Sequence, residues 1–183
     1  MINKLYNYLK IEASVLDLIK SQFFLQLIAT SFFLILNIYL SKNSFSDSEI
    51  ADLISYRFLA VIILSYPFGY FISFRKLKPF LLVSCILLPV VAILLVFMIQ
   101  YDLNQYLKII FFIWGILFTI FQISVLPYIM RYTNAENQTY AISLSFATHS
   151  IAMLIAGIII YILSNILNID EGQILLIISC FGF

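Results

Sequence analysis

Five blocks of this chain, Phe23–Leu40, Phe58–Ile72, Pro79–Ile99, Ile109–Met130 and Ile151–Leu163, run almost without charge, and that restricts the fold more than any other feature. A helix crossing hydrocarbon needs about 20 residues, each adding about 1.5 Å. Extended to that length, the blocks predict spans at roughly 20–41, 48–73, 79–100, 106–130 and 139–165, with a further apolar run at 173–183. The chain is 63% apolar and 10% charged, against about 45–50% and about 25% in a soluble domain. One soluble core cannot hide that much apolar surface, so lipid must be the solvent. The expected fold is all-α: a polytopic transmembrane bundle of five complete spans and the start of a sixth.

The links between spans are short and polar: Lys42–Asp47, Phe74–Lys78, Tyr101–Gln105, Arg131–Gln138 and Asn168–Gly172. Neighbouring spans are therefore expected to run antiparallel. Ser46-Asp47-Ser48-Glu49 and Thr133-Asn134-Ala135-Glu136 have the spacing of a capping box. In that motif a hydroxyl and a carboxylate each satisfy a free backbone N–H at a helix start. The final run, Gln173–Phe183, would cover only about 16 Å as helix, which predicts a fragment of a longer protein. Lys4, Lys10, Lys20, Arg75, Lys76, Lys78 and Arg131 fall on one side of the predicted membrane, and only Lys42 and Lys108 on the other. The bias predicts a multi-pass protein of the cell (inner) membrane with a cytoplasmic N terminus. Leu5, Leu9, Leu16 and Ile19 fall near one helical face, so residues 1–19 read as a cytoplasmic amphipathic arm and 20–183 as the bundle.

A signal peptide is excluded, because Phe23–Leu40 exceeds the usual apolar run of about 7–15 residues and ends in Ser41-Lys42-Asn43, not a small-x-small site. No basic stripe serves nucleic acid. Cys85 and Cys180 lie in apolar runs without CxxC spacing or a nearby His, so they read as packing residues, and no metal or other cofactor is expected. No triad, nucleophile elbow or Walker loop appears, which argues against an enzyme. Asn137-Gln138-Thr139 matches the glycosylation pattern, but on the side assigned to the cytoplasm.

Ionisable groups within hydrocarbon are costly and point to function by default. Arg57 lies about nine residues into the second predicted span and His149 about ten into the fifth. Arg57 either faces a cavity or reaches back to the surface along its stem. Asp52 is a poor local partner, since five residues leave it about 140° away around the helix; a partner is expected on another span. His149, within the run Ser143–Ser150, is either a packing histidine or part of a polar path where it would suit proton coupling. Gln26, Thr30 and Asn37 in the first span, with Gln122 and Ser124 in the fourth, fit a neutral or weakly charged solute or serve as interhelical glue.

Phe45–Lys78 resembles the second span and following loop of the major facilitator superfamily. The likeness comprises a polar helix start, Pro67-Phe68-Gly69 near the inner end, and the basic loop Arg75-Lys76-Leu77-Lys78 leading into the next span. Gly69 takes the first place of the family's loop motif, Ser73 stands where the family has Asp, and the second Gly is missing. Leu126-Pro127, the polar link with Arg131 and Glu136, and Ala156-Gly157 resemble the region joining the family's fourth and fifth spans. The resemblance implies two pseudo-symmetric halves, each of two three-helix repeats, alternating a central cavity between membrane faces. Placing Gly69 over Gly157 aligns the second span with the fifth, as such repeats require.

The function so implied is secondary active transport of a small solute, with or without a coupling ion. Substrate-path candidates are Gln26, Thr30, Asn37, Arg57, Gln122 and His149, while Gly69, Ser73, Arg75, Lys76 and Lys78 would form a cytoplasmic gate loop. The partners implied are the bilayer, the solute and a missing C-terminal half. An uncharged stretch Ile109–Ile120 speaks against proton antiport by the family's usual fourth-span Arg. The alternatives are a polysaccharide flippase with a basic central cavity and a non-transporting membrane scaffold or sensor.

Overall fold

The computed structural model describes residues 11–73 and 75–182. They form helices α1 (Ala13–Lys42), α2 (Asp47–Ser73), α3 (Leu77–Gln100), α4 (Asn104–Tyr132), α5 (Ala135–Tyr161) and α6 (Glu171–Cys180), with α5 continued by a π-helical turn at Ile162–Ile166. No strand occurs among the described residues. The first five helices, α5 with its π turn, are each long and apolar enough to cross a membrane. The fold is the expected transmembrane helical bundle.

Helix α1 begins at Ala13 and buries Val15, Leu18 and Ile19, so the backbone is continuous across the boundary expected at residue 20. Residues 1–10 of the expected arm lie outside the described residues. At the start of α2 the capping box forms in full. Glu49 Oε2 accepts from the Ser46 backbone N–H at 2.9 Å and from the Ser46 hydroxyl at 2.7 Å, and Ser46 Oγ accepts from the Glu49 N–H at 3.4 Å. The second box does not form. Thr133 donates its hydroxyl back to the Ile129 carbonyl at 2.6 Å, and Asn134 becomes the N-cap of α5 without a side-chain bond. A link of two residues leaves Thr133 at the C-cap of α4, where a free carbonyl lies closer than the next helix's N–H groups.

The packing has an internal exchange symmetry. Helix α2 lies against α4, and α5 lies against α1; α3 packs on α4, and α6 on α1; α3 and α6 pack on each other. Swapping the first three helices with the last three reproduces the pattern, as two three-helix repeats demand. Small residues set the close crossings, because two helix backbones approach only where side chains are short. On α5 the buried stripe is Ala141, Ser145, Ala152 and Ala156. On α4 it is Gly115: a Cβ there would overlap the Arg57 carbonyl oxygen and lie 2.8 Å from the Ala60 Cβ. The aromatic centre of the bundle is Trp114 of α4, 1% exposed, set edge-on to Phe32 of α1 with ring centroids 4.8 Å apart.

Three buried hydroxyls in this apolar interior are satisfied by their own helices. Ser31, Thr119 and Ser179 each donate to the carbonyl four residues earlier, at 2.8, 2.7 and 2.7 Å. One end of the bundle carries two interhelical ion pairs, Lys42–Glu171 between α1 and α6 at 2.6 Å and Lys108–Asp52 between α4 and α2 at 2.8 Å.

Candidate functional site

Three helices each turn an i, i+4 pair toward one place. Gln22 and Gln26 of α1, Phe118 and Gln122 of α4, and Ser145 and His149 of α5 line a cavity of about 310 Å³, the size of a small-molecule site. Residues four apart lie on the same helical face, so each pair presents two groups one turn apart. Ser145 donates its hydroxyl to Gln22 Oε1 at 2.7 Å, which ties α5 to α1 across the cavity wall. Gln26 Nε2 donates to Thr30 Oγ1 at 3.1 Å, and Thr30 is buried behind it. Phe118, Phe121 and Phe146 supply much of the apolar wall.

A second cavity, of about 250 Å³, lies between α2 and α4, with Arg57, Val61 and Ser65 on one side and Phe118, Thr119 and Gln122 on the other. Phe118 and Gln122 line both. The Arg57 Cζ sits 4.6 Å from the Trp114 ring centroid and 5.1 Å from that of Phe118. The partner expected on another span is therefore aromatic. Such contacts contribute about 0.5–2 kcal/mol, less than the cost of about 2.5–3.5 kcal/mol or more for an Arg at the middle of a span. Asp52 is engaged by Lys108 and Glu49 by Ser46, so neither neutralises Arg57.

Gln26, Gln122 and His149 thus meet in the first cavity, and Arg57 joins Gln122 in the second. Thr30 is held back as the hydrogen-bond partner of Gln26. Asn37 is exposed and lines neither cavity; Ser124 is fully buried away from both. In the expected gate loop, a Cβ on Gly69 would meet nothing within 4 Å, and Ser73 donates its hydroxyl to the Gly69 carbonyl at 2.8 Å. Arg75 lies with its Cζ 5.2 Å from the Phe71 ring centroid. Lys76 is the extended residue before α3, and Lys78 lines a small cleft with Asp17 of α1.

The loop's anchor is Arg131, at the end of α4. Its two terminal nitrogens donate to the Arg75 carbonyl at 2.8 Å and the Ser73 carbonyl at 2.7 Å. These bonds satisfy the Ser73 carbonyl left free at the end of α2 and the Arg75 carbonyl of the link, and pin the α2–α3 link to α4. Arg131→Ala is expected to speed amide hydrogen exchange over residues 75–78 about tenfold, read by mass spectrometry, with α1 unchanged.

Gln22 joins the site without having been a candidate, whereas Ser145 lay within the run Ser143–Ser150 read as close packing or the wall of a polar path. Gln22 lies close to the expected start of its span, where a polar residue reads as a boundary, but its spacing of four from Gln26 was the available signal. Among the described residues no group of His, Cys, Asp and Glu could hold a metal. The Major Facilitator Superfamily model matches residues 19–182. No curated protein and no solved structure matches the chain. A bundle of five membrane-length helices with a polar cavity among them, covered almost end to end by that family's pattern, is a multi-pass membrane transporter that belongs to the major facilitator superfamily.

Proposed function

We propose that the protein is a secondary active carrier that moves a small solute by alternating access, binding it where α1, α2, α4 and α5 meet. One observation carries this reading: polar side chains from three helices, Gln22 and Gln26 of α1, Gln122 of α4, and Ser145 and His149 of α5, converge on a single cavity inside a bundle that is mostly apolar. Interhelical glue alone would leave the amides bonded to one another. Gln122 instead has no hydrogen-bond partner among the described residues, and Gln26 uses one donor only.

A second bundle is part of the proposal. Helix α5 is largely exposed along its membrane-length stretch, yet Ser143 lies on its open side. Helix α2 exposes Tyr66. Lipid tails make no hydrogen bonds to such groups, whereas a facing bundle and a water-filled path do. In the orientation given by the Lys and Arg bias, with the N terminus cytoplasmic, Gly69, Ser73, Arg75, Lys76 and Lys78 lie at the inner mouth.

The test is substitution followed by uptake in cells or vesicles carrying the protein. Gln122→Leu, which removes the amide common to both cavities, is expected to lower uptake at least about tenfold, because it leaves a desolvated solute group unpaired. Asn37→Leu should leave uptake within about twofold, since a side chain outside the cavities loses no solute contact. Equal effects of the two variants would refute this placement of the path.

A further inference from the structure

We infer that the transported solute carries an oxyanion, of carboxylate or phosphate type, and that Arg57 is the group that binds it. The inference rests on the transport path proposed above and adds the charge of the solute. The nine acidic residues of the chain are Glu12, Asp17, Asp47, Glu49, Asp52, Asp102, Glu136, Asp170 and Glu171, and all lie in links or near helix ends. None forms an ion pair with Arg57; the nearest in sequence, Asp52, is bound by Lys108 at 2.8 Å.

Trp114 and Phe118 offer Arg57 diffuse negative ring faces, but no lone pair for its five N–H donors. Among the described residues the Arg57 guanidinium has no hydrogen bond. Its side chain does not escape to the helix end. It lies against Trp114, and against Phe118 one turn further along α4, beside a cavity whose other polar groups are Ser65, Thr119 and Gln122. The Ser65 and Thr119 hydroxyls donate to carbonyls of their own helices. The cavity therefore presents one uncompensated positive charge and one free amide. A planar fork of N–H donors there matches the paired oxygens of a carboxylate or phosphate. The adjoining cavity of Gln22, Gln26, Ser145 and His149 would hold the rest of the solute.

The experiment reads that charge without knowing the solute. In the full-length protein, with Cys85→Ser and Cys180→Ser, Val61→Cys places a thiol in the Arg57 cavity. Its reaction rates are measured with methanethiosulfonates bearing a sulfonate, a trimethylammonium or a methyl group, each normalised to free cysteine. The sulfonate to trimethylammonium rate ratio is expected to exceed unity at least about tenfold, because an unpaired charge attracts one reagent and repels the other in a poorly screened site. Arg57→Gln should abolish the preference and Arg57→Lys should keep it.

Acetate or inorganic phosphate at millimolar concentration should slow the sulfonate reagent, and whichever protects better identifies the oxyanion class. A ratio near unity with Arg57 present, while the methyl reagent reacts, would overturn the anion site alone; it would mean that a carboxylate elsewhere in the protein already neutralises Arg57. A high ratio with protection by neither anion would overturn it too. Failure of all three reagents to react would overturn the anion site together with the water-filled path on which it rests.

Discussion

Gly115→Leu is expected to prevent stable folding, with a cost of at least about 3 kcal/mol, the upper part of the range for overpacking a close-packed interior. The estimate follows from what the new side chain meets. A Cβ at Gly115 overlaps the carbonyl oxygen of Arg57 and approaches the Ala60 Cβ to 2.8 Å. A flexible tip would swing aside, but a helix backbone does not, so α2 must move away from α4 along their length. That separation would also open the Arg57 cavity and draw the guanidinium off Trp114. Gly115→Ala should already lower the thermal midpoint by several degrees, since it introduces the clashing atom. Gly69→Ala and Gly157→Ala are the contrast, because a Cβ at either meets nothing within 4 Å; in helices they should be neutral or stabilising by up to about 1 kcal/mol. Size-exclusion profiles and thermal unfolding of the four purified variants provide the comparison.

Arg57→Met should separate stability from activity. Methionine keeps a long side chain over Trp114 and Phe118 while removing the charge. The bundle loses about 1 kcal/mol of cation–π attraction and is relieved of a larger cost of holding an unpaired charge within a span. Its thermal midpoint should be unchanged or a few degrees higher. Uptake should fall at least about a hundredfold, because a bound oxyanion would lose its charge-assisted donors. A purely structural Arg57 would give the reverse, a lower midpoint with uptake scaling only with the amount of folded protein.

Much of this was legible in the sequence because lipid imposes a strong filter. Charge-free blocks of membrane length have one architecture available to them, a bundle of spanning helices, and α2 through α4 each lie within a few residues of the predicted bounds. The capping box at Ser46 formed because its link is long enough to release the hydroxyl to α2. At Thr133 the same spacing failed, because a two-residue link left the hydroxyl nearer to α4 than to α5.

Residues lining the proposed path were legible where a polar group stood within a span, as with Gln26, Gln122 and His149. Asn37 satisfied the same rule and still lies outside both cavities. Eleven residues at about 100° each return it to the face of Gln26, but about 16 Å further along α1. Depth, not facing, removed it, and depth is decided by where other helices end the cavity. Gly115 and the Asp52–Lys108 pair were illegible for a related reason: each is defined by a residue on another helix, and one-dimensional spacing does not say which helices meet.

The central claim, a solute path alternating between the two membrane faces past Gln122, is tested most directly by a thiol at that position. In the full-length protein with Cys85→Ser and Cys180→Ser, Gln122→Cys should react with a membrane-impermeant methanethiosulfonate applied from either face of sealed vesicles. Reaction from one face only, or from neither, would contradict the account.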